Sequence, residues 1–435
     1  MRARLASSTA TLSQAPAFPR LLSALESPDS VVDLEAHLAH WGALPLRSAR
    51  STLLDELDSS GLRGHGGAWF PVGKKWRGIR DGSRRPVVVA NGSESEPASR
   101  KDAFLLTHSP HLVLDGASLA AATLDAHRVV VFVPLRHVDC VSRCIQARNR
   151  SGIDPVKIEV IAAADAYLSG QETAVVHALN DGAAVPTFVG LQSIRERGVR
   201  GRPTLVQNVE SLAHVAMISR YGGQWFRSVG TADSPGTMLV TITGRRAEPV
   251  VVEAPLGVAF RDLLHLATED THRYWGALLG GYGGGWLPLS LILEGNLSEE
   301  WARQQNSSLG AGVIALLPRS CCPLAEVARV VRYMEQQGAG QCGPCRFGLA
   351  DIAGHLELLA FRPDSFSGRF PPILELCNLI DGRGACRHPD GVARFVRTAL
   401  TVFQDDVDRH FRRGPCDAVN RPAYLPTPSP NGWSR

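Results

Sequence analysis

Apolar residues recur along this chain at two periods, and the switches between them divide it. Val32–Trp41 and Ser51–Leu57 carry apolar side chains three and four positions apart, the helical spacing, with Gly42 and Pro45 interrupting them. Pro86–Ala90, Arg128–Val133 and Lys157–Ala162 are instead short β-branched, mainly apolar runs, and the alanine-rich Leu112–Leu124 between the first two reads as a buried helix. Strands apolar on both faces and separated by helices predict an α/β layer around a largely parallel sheet.

Near Ser234-Pro235-Gly236 the pattern changes. Met238–Thr243 and Val250–Glu253 read as strands joined through a turn region at 244–249, followed by a helix at Phe260–Ala267 and a strand at Gly312–Leu317. That succession predicts a small α+β unit of the β-grasp kind. After Pro323 the helical period returns in Leu324–Glu335, Gly348–Leu359, Ile373–Ile380 and Gly391–Phe403. Repeated prolines from about Gly414 predict a disordered tail. The expected boundaries are a helical lead-in at 1–60, the α/β domain at 61–230, the β-grasp unit at 235–320, a helical domain at 321–412 and the tail at 413–435.

Composition narrows the function classes. A chain of 435 residues exceeds one ordinary core, and 44% apolar with 20% charged residues is a globular balance. The formal charge of +4 comes from scattered arginines, which gives nucleic-acid binding no basis. No apolar run approaches the roughly 20 residues of a membrane span, and Met1–Pro16 has no continuous apolar segment of the secretory kind. A cytoplasmic protein, at most peripheral to a membrane complex, is expected. Five of the nine cysteines fall between Cys321 and Cys377, with Cys386 just beyond, a clustering that points to a cofactor rather than a disulfide framework.

Four loops carry candidate chemistry in the α/β half. Gly61-Leu62-Arg63-Gly64-His65-Gly66-Gly67-Ala68-Trp69-Phe70 offers backbone amides and close approach to a phosphate, with Gly73, Lys74 and Lys75 just behind it. An isolated glycine loop is a weak signal. Asn91-Gly92-Ser93-Glu94-Ser95-Glu96-Pro97 follows a predicted strand, where ligands of open α/β sheets bind. Ala166 to Thr173 has the same character, and Gly201 to Glu210 offers amides ahead of a helix. Gly280-Gly281-Tyr282-Gly283-Gly284-Gly285-Trp286 reads as a flexible hairpin connection rather than another phosphate loop.

In the helical half, Cys342-Gly343-Pro344-Cys345 is a C-x-x-C on a turn and Cys386 lies in a later loop. Zinc, a redox dithiol and an iron–sulfur cluster are all open to such a pair. Cys377 sits on an apolar helical stripe as core filler; Cys321 and Cys322 lie a helix length from the motif, and Cys140, Cys144 and Cys416 read as structural.

These segments, in this order, resemble the flavin- and NADH-binding subunit family of respiratory complex I and its soluble hydrogenase and formate dehydrogenase relatives. The family's G-L-R-G-R-G-G-A-G-F-P-T-G-x-K-W is similar to Gly61–Trp76, its N-A-D-E-G-E-P to Asn91–Pro97, its A-Y-x-C-G-E-E-T-A to Ala166–Ala174, its G-x-P-T-x-x-N-N-V-E-T to Gly201–Ser211, and its L-G-S-G-G-V-I to Ser308–Ile314. The resemblance implies a Rossmann-like domain for FMN and NAD(P)H, a β-grasp domain of the SLBB type and a helical bundle with an iron–sulfur site. It places FMN phosphate near Arg63, Gly64, Gly66, Gly67, Gly73, Lys75 and Asn208, with Gln207 beside them. The isoalloxazine falls near Asn91, Glu94 and Tyr167, and the nicotinamide nucleotide near Phe70, Glu96, Gly170, Gln171 and Glu172. Glu94, Glu96 and Tyr167 are the implied catalytic residues. The implied reaction is hydride transfer to the flavin and one-electron transfer onward to a partner redox protein or subunit. The rival expectation is a catalytically reduced homologue serving as a binding module.

The departures are specific. The family's C-G-x-C-x-x-C-R, with a fourth cysteine about forty residues later, is met by Cys342, Cys345 and Cys386, but Ala339 stands at the first position. Three thiolates suit a [3Fe–4S] cluster, or a [4Fe–4S] cluster completed by another ligand. Trp69 replaces a glycine, which puts an indole in or against the nicotinamide space. Gln171 replaces a glutamate, which lessens repulsion toward a 2′-phosphate and keeps NADPH open beside NADH.

Overall fold

A computed structural model describes residues 18–80, 84–187, 193–244, 248–268, 270–362 and 370–428. Four parallel strands, β1 (Val87–Asn91), β2 (Arg128–Pro134), β3 (Ile158–Ala163) and β4 (Thr204–Asn208), form a sheet in the order β3-β2-β1-β4. Their continuously apolar sequence has a direct cause. Val88, Ala90, Val129, Val131 and Val133 face a core built with helices α1 (Leu34–Trp41), α2 (Leu46–Ser60), α3 (Val72–Arg80), α4 (Lys101–His108), α5 (Pro110–Leu124), α6 (Leu135–Ser151) and α8 (Val209–Arg227), while Val87, Val89, Val130 and Phe132 face a smaller cluster with α7 (Glu172–Leu179). Both faces of β1, β2 and β4 are dry, so alternation would be wrong there; the edge strand β3 is only partly covered. Helices α5 and α8 meet so closely at Gly116 that a Cβ there would lie 1.9 Å from the Leu212 carbonyl oxygen. Residues 20–60, expected as a separate lead-in, contribute Leu21, Leu53 and Leu57 to this same core.

The second sheet holds β5 (Thr237–Thr243), β6 (Val250–Pro255), β7 (Tyr274–Leu279), β8 (Gly285–Pro288) and β9 (Val313–Pro318) in the order β6-β5-β9-β7-β8. Strands β5 and β9 run parallel at its centre and the other pairs are antiparallel. Helices α9 (Phe260–Leu264), α10 (Leu289–Glu294) and α11 (Glu299–Gln304) pack with it; α10 and α11 carry no sequence signal strong enough to anticipate. Residues 245–247, within the expected turn, lie outside the described residues.

Helices α12 (Pro323–Gln336), α13 (Leu349–Phe361), α14 (Ile373–Ile380), α15 (His388–Val402) and α16 (Gln404–Arg413) form the C-terminal part, sharing a core with Trp286 and Leu317 of the second sheet. Cys377 is fully buried in it, as the apolar stripe predicts. The proline-rich tail is not disordered over 414–428. Glu326, buried on α12, accepts from the backbone N–H groups of Tyr424 and Leu425 at 3.0 Å each, and the Tyr282 hydroxyl donates to the Pro426 carbonyl at 2.6 Å. Composition registers the prolines but not these partners. None of the described helices is long and apolar enough to cross a membrane.

Candidate functional site

The order β3-β2-β1-β4 puts a topological switch between β1 and β4, since the chain leaves β1 toward β2 and returns on the other side. The crevice beyond the carboxyl ends of such strands is where open sheets bind ligands. Asn91 and Asn208 are register partners at those ends. The Asn208 side chain caps α8, accepting from the Glu210 N–H at 3.0 Å, and donates to Asp102 at 2.7 Å; the Asn91 amide donates to the Gly170 carbonyl at 2.8 Å. The glycine loop closes over them: Gly64 N–H donates to the Phe70 carbonyl at 2.9 Å, and a Cβ on Gly66 would sit 3.2 Å from Asn208. Gly67, at φ +99°, faces open space with nothing within 4 Å. A Cβ on Gly170 would lie 2.6 Å from the Ser93 hydroxyl.

These loops line a cleft of about 810 Å³, bounded by Gly66, Gly67, Glu96, Tyr167, Gly170 and Gln171 on one side and by Cys386 and His388 on the other. A smaller cavity of about 90 Å³ adjoins it through shared residues and reaches Asn91, Glu94, Lys101 and Asn208. The glycine backbone and the cysteine region thus open on one space.

Not every expected residue points as the loops suggest. Glu94, at φ +35°, spends its carboxylate on the start of α4, accepting from Asp102 and Ala103 N–H at 2.9 Å each and from the Ser99 hydroxyl at 2.8 Å. Lys75 is ion-paired with Glu172 and donates to the Val206 carbonyl at 2.6 Å. Gly73 lies within α3, where a Cβ would meet Asp58 Oδ1 at 2.0 Å, so its smallness serves packing. Gln207 is buried, accepting from the Trp76 indole at 3.3 Å. Arg63 donates to the Trp69 carbonyl at 3.3 Å, and Phe70 is 41% exposed under the Arg195 guanidinium. The Gln171 side-chain oxygen caps α7, accepting from Thr173 and Ala174 N–H at 2.8 and 3.0 Å. Trp69, at φ +52°, is buried in the core of the second sheet with its ring 5.2 Å from that of His65 and does not line this cleft.

Glu96 is the most perturbed carboxyl lining the cleft. Burial pushes it up to about 7, against hydrogen bonds from the Tyr282 N–H at 2.8 Å, the Ala98 N–H at 3.2 Å and the Tyr167 hydroxyl at 3.3 Å. A carboxyl raised on folding gives stability that is present below its unfolded value, near 4.5, and lost as pH rises through about 7. The loss amounts to about 3 kcal/mol. Glu96→Gln, which cannot ionise, should therefore gain about that much relative to the parent between pH 5 and pH 8 in denaturant titrations. A difference that does not change with pH would show Glu96 to be an ordinary carboxylate.

Lys101 lines the smaller cavity without a signal in the sequence, and Glu210 is its buried partner. Burial alone would lower the Lys101 ammonium, but Asp102 at 2.7 Å and Glu210 at 2.9 Å more than offset it, and the cation stays charged at the floor of the smaller cavity. A lysine on a mostly apolar helix gives no sign of this pairing until the fold supplies Glu210.

Cys386 stands on the far wall; Cys345 is buried in a π-helical turn (Pro344–Gly348), a geometry frequent at functional sites. Burial, with the Cys342 and Cys386 thiols beside it, pushes Cys345 up to about 12. The Cys342 and Cys386 thiols are therefore both close to Cys345. His388, two residues beyond Cys386, has its Nε2 2.8 Å from the Met334 carbonyl and its ring 5.6 Å from that of Tyr167. Tyr167 thus joins Glu96 to the cysteine wall.

A nucleotide crevice opening on a cleft lined by Cys386, with the Cys345 thiol close to it, defines a class of flavin-dependent electron-transfer protein, and comparison agrees. A family model described as the Nuo51 FMN-binding domain matches residues 57–217, and one described as the NADH-ubiquinone oxidoreductase-F iron–sulfur binding region matches 325–410. The F subunit of NADH-quinone oxidoreductase from Streptomyces coelicolor is 30% identical over 91% of this chain and 92% of its own length, and that from Mycobacterium bovis is 30% identical over 95% and 98%. The air-oxidised NAD+-reducing [NiFe]-hydrogenase superposes with a TM-score of 0.75 at 29% identity, over 87% of this chain; the chain spans 66% of that protein's length. The chain belongs to the family of NADH-quinone oxidoreductase F subunits.

The residues present fit both groups this family implies. Gly66, Gly67 and Gly170 leave a cradle that a Cβ would fill or strain, beside the Lys101 cation, as FMN requires. Cys342, Cys345 and Cys386 supply soft thiolate donors for iron.

Proposed function

We propose that this chain is an NADH-oxidising flavoprotein subunit that receives a hydride in the Gly66–Gly170 cleft and passes electrons through a cluster on Cys342, Cys345 and Cys386 to a partner redox subunit. The observation that carries this is the single cleft bounded by both Gly66 and Cys386. Bound FMN supplies two-electron to one-electron conversion, and a bound iron–sulfur cluster relays single electrons. The chain itself holds the phosphate end by glycine-loop amides and Lys101, orients the ring system with Asn91 and the 93–96 turn, and excludes water with Tyr167 and Gly283. Glu96 and Tyr167, hydrogen-bonded to each other, are the groups placed to hold a proton near the nicotinamide. Phe70, Lys75 and Glu172 we assign to the outer nucleotide-binding rim. The five-stranded sheet, with its central parallel β5–β9 pair, supports an SLBB-type β-grasp reading, and α12–α16 a helical iron–sulfur domain.

Anaerobically purified protein should show flavin bands and a broad iron–sulfur shoulder, both bleached by NADH. A colourless protein that takes up neither FMN nor iron on reconstitution would instead favour the reduced homologue acting as a binding module.

Selectivity against NADPH should be weak. Gln171 is neutral, and Glu172 is neutralised by Lys75, so neither repels a 2′-phosphate. Gln171→Glu keeps the α7 cap and adds a charge; kcat/KM for NADPH should fall about tenfold while that for NADH changes little, as one screened charge contact allows. Equal losses for both nucleotides would place residue 171 away from the 2′ position.

A further inference from the structure

Two clusters of ligand-type side chains lie outside the assigned cysteine set: His65, Glu210 and His214, and Cys322, His410 and Cys416. The first is compromised as a cation site. The Lys101 ammonium stands 2.9 Å from one Glu210 oxygen, and the Leu239 N–H donates to the other at 2.7 Å. At the rim of the second, the partly exposed Arg409 pairs with Asp406 and hydrogen-bonds the Cys416 thiol, leaving Cys322 and His410 paired with each other rather than with a cation.

Cys322 is 2% exposed and begins α12; His410, 0% exposed, lies on α16; Cys416 follows Gly414, whose φ of +86° turns the chain back across α16. Their ligand atoms all lie within 4.8 Å of one another. The Cys322 sulfur is 3.5 Å from His410 Nε2, close to the separation of about 3.6 Å that a tetrahedral zinc imposes on a thiolate and an imidazole at its usual bond lengths. His410 is oriented for this role. Its Nδ1 is 3.2 Å from the Ala360 carbonyl, which fixes the proton there and leaves the Nε2 lone pair facing the sulfur. A fourth donor stands ready: Asp406, one helical turn before His410, has Oδ2 3.9 Å from the Cys322 sulfur and 3.8 Å from His410 Nε2, while its other oxygen is held by Arg409.

We infer that Cys322, Asp406, His410 and Cys416 form a tetrahedral site for a zinc-class divalent cation, which fastens the C-terminal segment to α12 and α16. The set is thiolate-rich and closed, with no open position, as structural zinc sites are. Its consequence reaches the cleft side of the fold, because the segment that Cys416 anchors continues to Tyr424, Leu425 and Pro426, whose backbone groups bond to Glu326 and Tyr282.

The test uses the full chain purified anaerobically without chelator. Elemental analysis should give about one zinc per chain, a fully occupied closed site. Cys416→Ser should lose most of that zinc while iron and FMN stay unchanged, and the paired variant Cys342→Ser/Cys345→Ser should keep it, which separates this site from the cluster. Cobalt added to the metal-free wild-type chain should give the visible bands and sulfur charge-transfer absorption of tetrahedral cobalt thiolate. Absence of zinc together with no cobalt bands overturns the proposal, as does zinc that survives Cys416→Ser or a Cys322–Cys416 disulfide found by mass spectrometry in freshly isolated protein. The cobalt measurement needs no variant and stands even if Cys416→Ser fails to fold.

Discussion

Ala339→Cys is expected to raise iron from about three to about four per chain and to replace the electron-spin signal of an oxidised three-iron cluster with that of a reduced four-iron one. The local structure favours this outcome. Residue 339 follows α12 and is flanked by two groups already against the Cys345 sulfur: a Cβ at Gly338 would lie 3.7 Å from it, and the Gly340 N–H bonds to it. Gly340 takes the left-handed region, at φ +65°, with nothing within 4 Å of a Cβ, so the loop has room to adjust as the added thiolate turns toward the metal. Flavin content should not change, because the cradle of Gly66, Gly67 and Gly170 is on the opposite wall of the cleft. Iron near four in both proteins would mean a fourth ligand already completes the site; iron that stays near three would mean the added thiol does not reach the cluster, and iron near zero in both that the remaining thiols do not assemble one.

The parallel sheet is legible in the sequence because β1, β2 and β4 are dry on both faces, and a run such as Val87–Ala90 has no other comfortable position. The glycine loop and the cysteine pair are legible for a related reason: both rely on residue types that few other roles demand. What stays hidden depends on pairing across the fold. Glu94 and Glu96 sit two residues apart on one loop, yet one caps α4 and the other is buried against the Tyr282 amide. No local pattern separates them. Trp69 looks in sequence like a residue of the cleft because its neighbours are, but a positive φ turns it into the second sheet's core. Cys322 and His410 are 88 residues apart, and Cys416 lies in a segment whose prolines suggest disorder. Spacing rules for metal ligands presume a local loop, and here the ligands come from a helix start, a helix end and a returning tail.

The glycine-rich hairpin between β7 and β8 leads to the second large effect. Its sequence suggests only a flexible connection, and it does connect two antiparallel strands, but its tip reaches the cleft. Gly281 holds φ +85° with the Glu96 carboxyl carbon 2.5 Å from where a Cβ would be; the next residue, Tyr282, donates its N–H to that carboxyl, and Gly283 packs 3.2 Å from a Cβ position on Gly391 of α15. One turn therefore touches the α/β loops and the helical domain together. Gly281→Val imposes both left-handed strain on a β-branched residue and a clash with a buried carboxyl that has no room to retreat, a cost of about 3 kcal/mol or more. Thermal unfolding should shift down accordingly, and FMN retained after gel filtration should fall at least about tenfold, since each ~1.4 kcal/mol of distortion in the bound geometry is a factor of ten in affinity. Gly152→Ala is the matched control. It has φ +63° at the end of α6 but nothing within 4 Å of a Cβ, so it should cost only about 1–2 kcal/mol and leave FMN in place. Equal losses in the two variants would reduce the effect of Gly281 to backbone strain alone; loss of flavin confined to Gly281→Val would show that the hairpin tip is part of the wall that holds the cofactor.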